Sequence, residues 1–309
     1  MGSRKGPMKI NMSERNLGLL FAWITALCWA VLAIGLKYAL TFTTTANIAA
    51  LRVVLAFAGL LLIYLLFKRQ EFVVLKKNFP WLALVAGSFL GFNYFGFMKG
   101  VELTGAGNSQ IMIQIGPLSL ALAGVFLFKE SFTRRQMLGI IVASLGFIFF
   151  YYDKIGLAES VYMTSGNIWL IVAALVWAAY AVIQKILGDQ WNPQTLNLVI
   201  YFAAGLLLCL NADLKQTLSL GAWEWFILVL LGLNTLVGYG CLAEALKRAP
   251  ASRVSLIITV NPLGTLGLIY LGNLLNISWM PRENTSWIGW VGAFLVVTGV
   301  SWTLVRKKS

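Results

Sequence analysis

The chain has 309 residues, of which 59% are hydrophobic and only 11% are charged, and its formal net charge is +13. A soluble domain carries about a quarter of its residues as charged side chains, so these polar residues cannot cover a water-facing surface. The composition therefore excludes an ordinary soluble enzyme, a disordered chain and a secreted disulfide scaffold. The sequence contains no histidine and only three separated cysteines, which excludes imidazole catalysis and Cys/His metal clusters. We expect a polytopic membrane protein.

Ten apolar segments follow one another along the chain, and each is about long enough for a helical span of roughly 20 residues. The breaks between them carry charges or turn residues, as at Asn192-Pro193. Because only helices and closed barrels satisfy their backbone groups in hydrocarbon, the sequence predicts an all-α polytopic protein with ten transmembrane helices. The boundary at 98–106 is the least distinct. The segments are 17–39, 44–67, 79–100, 104–128, 134–152, 166–188, 194–211, 222–247, 251–272 and 286–305.

The basic residues indicate the orientation of these helices. If the N-terminus is cytoplasmic, 18 of the 24 Lys and Arg residues fall in or beside the cytoplasmic connections. This predicts that both termini are cytoplasmic, with residues 1–16 and 306–309 as tails. The Lys and Arg residues stand in short runs between apolar segments, whereas a nucleic-acid-binding protein concentrates them on one soluble face. We therefore expect membrane lipid as a partner and no nucleic acid.

Two parts of the chain resemble each other. Residues 24–37 match 172–185 at six of fourteen positions, including Trp29 with Trp177, and an offset of 145 then aligns Tyr94 with Tyr239. The matches predict two five-helix repeats, 17–152 and 166–305, joined by a periplasmic linker at 153–165. Because five is odd, the second repeat enters the membrane from the opposite side. Inverted repeats are typical of secondary transporters, in which the substrate binds between the repeats, although channels contain them too.

Several short motifs carry a resemblance to a known family. They are Leu51-Arg52, Gly116-Pro117-Leu118, the Leu-Phe-Lys-Glu-Ser-Phe-Thr stretch 127–133, the Ala-Leu-Lys-Arg-Ala-Pro-Ala stretch 245–251, and Asn261-Pro262-Leu263. Over roughly 17–305 the chain resembles the drug/metabolite transporter superfamily, in particular the ten-helix transporters built from EamA repeats. The resemblance implies a transporter of the bacterial inner membrane, more often an exporter. One departure is that Glu130, which closes the fourth segment, has no counterpart near 272–275.

Uncharged polar and aromatic residues inside the segments are the candidates for substrate binding. A pocket needs only a few polar groups to orient a ligand, and aromatic and amide side chains suit a small amphipathic solute such as an amino acid. For each aromatic residue the alternative is helix packing or the interfacial belt. Pro117 and Pro262 are predicted helix kinks, since proline leaves the carbonyl four residues earlier without its donor. The binding candidates are Trp29, Asn93, Tyr94, Gln110, Gln114, Trp177, Tyr180, Asn234, Tyr239 and Asn261.

The charged residues within the segments have two interpretations. Lys99/Glu102 and Glu244/Lys247 are both spaced i, i+3, and their charges are swapped when the repeats are aligned. They are candidate gating ion pairs, and the alternative is two local pairs near water that contribute little. Arg52 either meets an anionic substrate group or has a structural partner, of which we favour the second.

Glycines recur at helical spacing in the third segment. Gly87/Gly91 and Gly96/Gly100 each form a GxxxG motif, which lets helix backbones approach closely. We expect these glycines to lie at helix interfaces.

The function predicted from the sequence is secondary transport, by export or exchange, of a small metabolite such as an amino acid. No GxxxxGK[ST] loop is present to hold a nucleotide, and we expect no cofactor. An intramembrane enzyme is disfavoured, because no Ser/Lys or carboxylate pair stands together at membrane depth. A channel and a non-transporting sensor or scaffold of the same architecture remain the alternatives.

Overall fold

The structure is a computed structural model that describes residues 12–130, 133–155, 161–280 and 286–304. Residues 1–11 of the predicted N-terminal tail, the predicted C-terminal tail at 306–309 and residues 156–160 of the predicted linker lie outside the described residues. All regular secondary structure in the described ranges is helical. The helices are α1 (Met12–Ala39), α2 (Thr45–Phe67), α3 (Gln70–Lys77), α4 (Trp81–Thr104), α5 (Ala106–Met112), α6 (Ile115–Phe126), α7 (Arg134–Ile155), α8 (Val161–Gly188), α9 (Pro193–Cys209), α10 (Leu214–Leu218), α11 (Ala222–Arg248), α12 (Ala251–Ile258), α13 (Asn261–Leu274) and α14 (Trp287–Leu304).

Polar caps define where several of these helices begin. The side chain of Thr44 accepts a hydrogen bond from the backbone N–H of Asn47 and starts α2. The side chain of Asn192 accepts one from Gln194, and Pro193 occupies the first turn of α9. Such residues satisfy backbone donors that the first helical turn leaves free, so the helices begin at the breaks seen in the sequence.

The indistinct boundary at 98–106 contains one glycine that the fold requires. Gly105 separates α4 from α5 and has a φ of 87°, a left-handed conformation that strongly favours glycine. The chain turns here because α4 ends at Thr104 and α5 begins at Ala106.

The described part of the chain contains seven helical segments that are long and apolar enough to cross a membrane, with α5–α6 and α12–α13 each taken as one segment. Shorter apolar helices cover Met137–Phe149, Pro193–Cys209 and Trp287–Val296. Large apolar side chains such as Phe126 and Leu210 are exposed on the outside of the bundle, where lipid would cover them. The all-helical prediction is confirmed, whereas the count of ten spans stays a prediction.

The helices of the two predicted repeats are interleaved. α4 packs against α8 and α9, and α11 packs against α1 and α2. In the same way α6 packs against α8, α13 packs against α1, and α7 packs against α14. These contacts are therefore preserved when the two halves are exchanged: the pair α4–α8 corresponds to α11–α1, and the pair α6–α8 corresponds to α13–α1.

The bundle has two ends, which we name after a lysine at each. At the Lys185 end lie the start of α1 and the end of α11, joined by an ion pair between Glu14 and Arg248 (3.1 Å). At the Lys99 end lie the end of α1 and the start of α11, joined by a hydrogen bond from Trp223 Nε1 to the Tyr38 hydroxyl (3.1 Å).

Close packing along α4 leads to a first prediction. A Cβ at Gly87 would lie 2.6 Å from Ala203 Cβ and 2.7 Å from the carbonyl oxygen of Ile200, so Gly87→Ala forces α4 away from α9. We expect a loss of about 1–3 kcal/mol of stability, typical of overpacking, seen as a lower Tm in detergent. Gly267→Ala is the matched control, because nothing lies within 4 Å of its added Cβ. Equal Tm values for the two variants would contradict the prediction.

Candidate functional site

The centre of the bundle contains a cavity where two interrupted helices meet. The fourth predicted segment breaks between α5 and α6 at Ile113 and Gln114, and the ninth breaks between α12 and α13 at Thr259 and Val260. Pro117 and Pro262 follow these breaks, as expected for residues that cannot donate a backbone hydrogen bond. Interrupted helices are a common way to build a binding site in transporters.

The cavity leaves about 50 Å³ to the centres of water-sized molecules, which is room for on the order of three to four waters. Its wall combines aromatic rings, amides, apolar side chains and one charged side chain. The lining residues are Trp29, Leu32, Arg52, Asn93, Tyr94, Phe97, Gln110, Ile113, Gln114, Pro117, Trp177, Tyr239, Ile258 and Asn261.

Eight of the ten binding candidates line this cavity, and two do not. Tyr180 is fully buried behind the wall, with its ring 5.9 Å from that of Tyr239. Asn234 faces α1 instead, where its Nδ2 donates to the carbonyl oxygen of Cys28 (2.8 Å). Both lie on helices that contribute to the cavity, but their rotation about the helix axis directs the side chains into helix interfaces. The candidates in the cavity are Trp29, Asn93, Tyr94, Gln110, Gln114, Trp177, Tyr239 and Asn261.

Residues at equivalent positions of the two predicted repeats meet in the cavity wall. The ring centroids of Trp29 and Trp177 lie 5.7 Å apart in an edge-to-face arrangement. Those of Tyr94 and Tyr239 lie 5.6 Å apart. Contact between equivalent residues is what an approximate two-fold axis through the cavity would produce.

Amide side chains connect the two helix breaks. Gln114 Nε2 donates to Asn261 Oδ1 (2.7 Å) and to the carbonyl oxygen of Gln110 (2.9 Å). Gln110 Nε2 donates to the carbonyl oxygen of Trp29 (2.7 Å) and Asn93 Nδ2 to that of Ala173 (2.9 Å). These bonds hold the amides in place and use their N–H groups.

Three cavity-lining residues have a buried polar atom without a hydrogen-bond partner. The atoms are Gln114 Oε1, an acceptor, Trp29 Nε1, a donor, and the Tyr94 hydroxyl, which can do both. Buried polar atoms are nearly always hydrogen-bonded to protein or water, so unpaired atoms on three residues of one cavity wall make that wall a candidate binding site.

Arg52 lines the cavity and also has structural partners, which is the interpretation that the sequence favoured. It is only 2% exposed, its guanidinium carbon lies 4.5 Å from the centroid of the Tyr94 ring, and its Nε donates to Thr235 Oγ1 (3.3 Å). Both structural partners are uncharged, and none of the ion pairs among the described residues includes Arg52. The available signal was its position several residues inside an apolar helix, which by default indicates function.

Of the two candidate gating pairs, one forms as expected. Lys99 Nζ lies 2.9 Å from Glu102 Oε2 at the Lys99 end, with both side chains partly exposed. Thr45 Oγ1 also donates to Glu102 Oε2 (2.7 Å), which connects the end of α4 to the start of α2.

The second pair differs from the prediction, because Glu244 pairs with Arg248 rather than with Lys247. Arg248 lies one helical turn after Glu244 on the face of α11 that packs against α1, where Glu14 also binds it. Lys247 lies on the exposed side of the helix. Gln194 Nε2 completes the contacts of Glu244 at 3.1 Å.

A group of contacts at the Lys185 end, the Glu130 cluster, consists of Glu130, Lys185, Ala251 and Ser252. The Glu130 carboxylate accepts hydrogen bonds from the backbone N–H groups of Ala251 (2.7 Å) and Ser252 (3.0 Å) and from Ser252 Oγ (2.7 Å). Lys185 Nζ lies 3.7 Å from Glu130 Oε1 and donates to the carbonyl oxygens of Leu246 and Ala249, both at 3.2 Å. The cluster thus joins α8, α11, α12 and the residues after α6.

Comparison of the sequence with known proteins identifies the family of this chain. The EamA-like transporter family matches residues 16–152 and 164–305. The chain belongs to that family. An Escherichia coli (strain K12) relative named "Uncharacterized inner membrane transporter YhbE" is 31% identical over 96% of this chain and 93% of its own length. A Haemophilus influenzae relative named "Uncharacterized transporter" is 29% identical, covering 94% of this chain and 96% of its own length.

The fold also occurs among solved structures. One crystal structure superposes with a TM-score of 0.69 at 17% identity, over 93% of this chain and 96% of the other. The family membership agrees with the drug/metabolite transporter resemblance in the sequence. The EamA-like protein is therefore a multi-pass inner-membrane transporter that contacts lipid and a small-molecule substrate.

Proposed function

We propose that the protein is a secondary transporter that exports or exchanges a small metabolite, such as an amino acid, by alternating access. In this proposal the ten apolar segments all span the bilayer as two inverted five-helix repeats, 17–152 and 166–305, with both termini cytoplasmic. The observation that carries it is the central cavity, in which equivalent residues of both halves meet beside two interrupted helices.

The packing supports movement of one group of helices against another. In inverted-repeat transporters the substrate binds between the repeats, and rocking exposes that site to each side in turn. Here α4 packs on α8 and α11 packs on α1, and the cavity lies between these helix pairs. A rotation that opens one end would close the other, because the pairs of packed helices recur in exchanged form in the two halves.

The ion pairs at the two ends support a role in gating. The Glu130 cluster and the pairs of Arg248 with Glu14 and Glu244 lie at the Lys185 end, where they connect several helices. The distribution of basic residues predicts that this end is cytoplasmic. At the Lys99 end the pair between Lys99 and Glu102 lies within one helix. We propose that the ion pairs of Glu130, Glu244 and Glu102 with their basic partners break and re-form as the two ends open and close.

Exchange across a membrane tests this function and separates it from its alternatives. The purified protein is reconstituted in liposomes loaded with an unlabelled L-amino acid, and uptake of the labelled compound is followed for each of the twenty amino acids. A carrier gives uptake that internal substrate accelerates. A channel gives flux without that acceleration, which would contradict the carrier mechanism. Absence of flux for all twenty compounds would contradict an amino acid as the exchanged metabolite.

Variants of the amide pair give a second prediction. Gln114→Ala removes the bond to Asn261 and the unpaired Oε1, so we expect exchange to fall by about tenfold, as for loss of a ligand-binding group. Asn234→Ala is the matched control, because it removes a partly buried, hydrogen-bonded amide that lies outside the cavity. Exchange is normalised to the amount of folded protein. An equal loss of exchange in Gln114→Ala and Asn234→Ala would contradict the assignment of the site.

A further inference from the structure

We infer that Arg52 forms the anion subsite of the cavity and binds the carboxylate of a small α-amino acid. This inference rests on the proposed function, because it assigns the substrate class of that same cavity. It concerns a residue for which the sequence alone favoured a purely structural partner.

The charge of Arg52 is the first argument. An arginine side chain remains protonated in proteins, so its charge cannot be relieved by loss of a proton. A buried charge is costly unless an opposite charge or several hydrogen bonds compensate it. In the described residues Arg52 has a threonine hydroxyl and the face of a tyrosine ring, and no carboxylate within ion-pairing distance. An anion in the cavity would supply the missing partner.

The neighbours of Arg52 are the second argument. Trp29 lines the same cavity, and its indole Nε1–H is buried without a partner. A carboxylate accepts several hydrogen bonds and matches the planar guanidinium group particularly well. The wall therefore contains a permanent cation and an indole whose unpaired N–H packs against Gly238 of α11.

The number of charges selects a carboxylate over a phosphate. Arg52 is the only Lys, Arg, Asp or Glu among the described residues that line the cavity. One guanidinium balances a single negative charge, whereas a phosphate group carries between one and two at neutral pH. A compact monoanion fits this wall better than a phosphorylated solute.

The rest of the cavity wall attracts a positive charge, which together with Arg52 indicates a zwitterionic ligand. The rings of Trp29, Trp177 and Tyr239 form one aromatic surface, with Trp29 5.7 Å from Trp177 and 5.2 Å from Tyr239. Aromatic faces attract ammonium groups, and Gln114 Oε1 is a buried acceptor without a partner. An α-amino acid carries a carboxylate for Arg52 and an ammonium group for this surface.

The subsite also breaks the approximate symmetry of the cavity. The corresponding stretch of the second half, 197–200 on α9, reads Asn-Leu-Val-Ile and contains no basic residue. The carboxylate therefore has one place to bind, and the ligand adopts one orientation between the repeats.

A comparison of matched ligands on the wild-type protein tests the inference. Thermal stabilisation is measured with the twenty L-amino acids and, for each one that stabilises, with its carboxamide and its methyl ester, which keep the ammonium group and the side chain. We expect the carboxamide and the ester to bind about tenfold more weakly, as for loss of a charged hydrogen bond. Binding as tight as that of the parent acid would overturn the inference.

Variants of Arg52 locate the effect. In Arg52→Gln the preference for the acid over its carboxamide should disappear, and Arg52→Lys should retain part of it. Arg69→Gln, on the exposed α2–α3 connection, is the matched control and should keep the preference. An unchanged preference in Arg52→Gln would overturn the inference. If Arg52→Gln does not fold, the ligand comparison on the wild-type protein decides.

The two proposals fail in different ways. Accelerated exchange of solutes without a carboxylate, with no amino acid exchanged, would overturn the anion subsite and leave secondary transport intact. Absence of exchange for every solute, together with stabilisation by acids and not by their carboxamides, would overturn transport and leave the subsite. Absence of exchange together with absence of any selective stabilisation by acids would overturn both transport and the subsite.

Discussion

Replacing Glu130 with alanine is expected to cost about 3 kcal/mol of stability, the scale for breaking a largely buried ion pair. The substitution leaves Lys185 without its carboxylate and removes the acceptor for two backbone N–H groups and one hydroxyl at the start of α12. Both side chains of the pair are mostly buried, so water cannot replace the lost contacts in full. Thermal unfolding in detergent should show a clear fall in Tm.

The pair at the opposite end is the control for this experiment. Glu102→Gln breaks an ion pair whose side chains are 35% and 41% exposed, and such pairs contribute about 0–1 kcal/mol. The double variant Glu130→Gln, Lys185→Met should be more stable than Glu130→Ala, because it leaves no unpaired charge. A Tm for Glu130→Ala no lower than that for Glu102→Gln would contradict the role of the Glu130 cluster.

Replacing Trp177 with alanine should lower exchange by about tenfold or more, the scale for removing an aromatic anchor. Trp177 is 4% exposed, contacts Trp29 edge to face, and forms part of the wall that we assign to the ammonium group. Its ring also lies against Gly116 beside one helix break. Trp177→Phe keeps an aromatic face of smaller area and should retain part of the exchange.

Trp290→Ala is the matched control for that prediction. Trp290 packs against Tyr270, is 43% exposed and is not one of the residues that line the cavity. We expect its loss to leave exchange per folded protein near the wild-type value. Similar losses in Trp177→Ala and Trp290→Ala would show that general destabilisation, rather than the cavity, causes the effect.

Much of the candidate site can be predicted from the sequence, because several of its residues occupy equivalent positions in the two repeats. Aligning the two halves paired Trp29 with Trp177 and Tyr94 with Tyr239, and these pairs do meet in the structure. Apolar segment length alone predicted the helices, since hydrocarbon leaves few other ways to satisfy a backbone. These features follow from periodicity and composition, which are properties of the sequence itself.

Other features depend on how helices rotate and on contacts between distant residues. Tyr180 and Asn234 lie on the correct helices but point into helix interfaces, which hydropathy cannot distinguish from the cavity. Glu130 binds Ala251 and Ser252 across a separation of more than 120 residues, so no local pattern predicts the cluster. Likewise, the fact that no acidic residue in the described part of the chain pairs with Arg52 becomes visible only in the structure.

The most direct test of alternating access is a pair of distance measurements at opposite ends of the bundle. Spin labels are placed at the exposed positions 127 and 190 at the Lys185 end, and at the exposed positions 41 and 275 at the Lys99 end. Cys28, Cys209 and Cys241 are first replaced by alanine, and exchange is confirmed. When an exchanged amino acid is added, the account predicts that distances at one end lengthen while those at the other end shorten. Distances that lengthen together at both ends, or stay fixed while exchange continues, would contradict it.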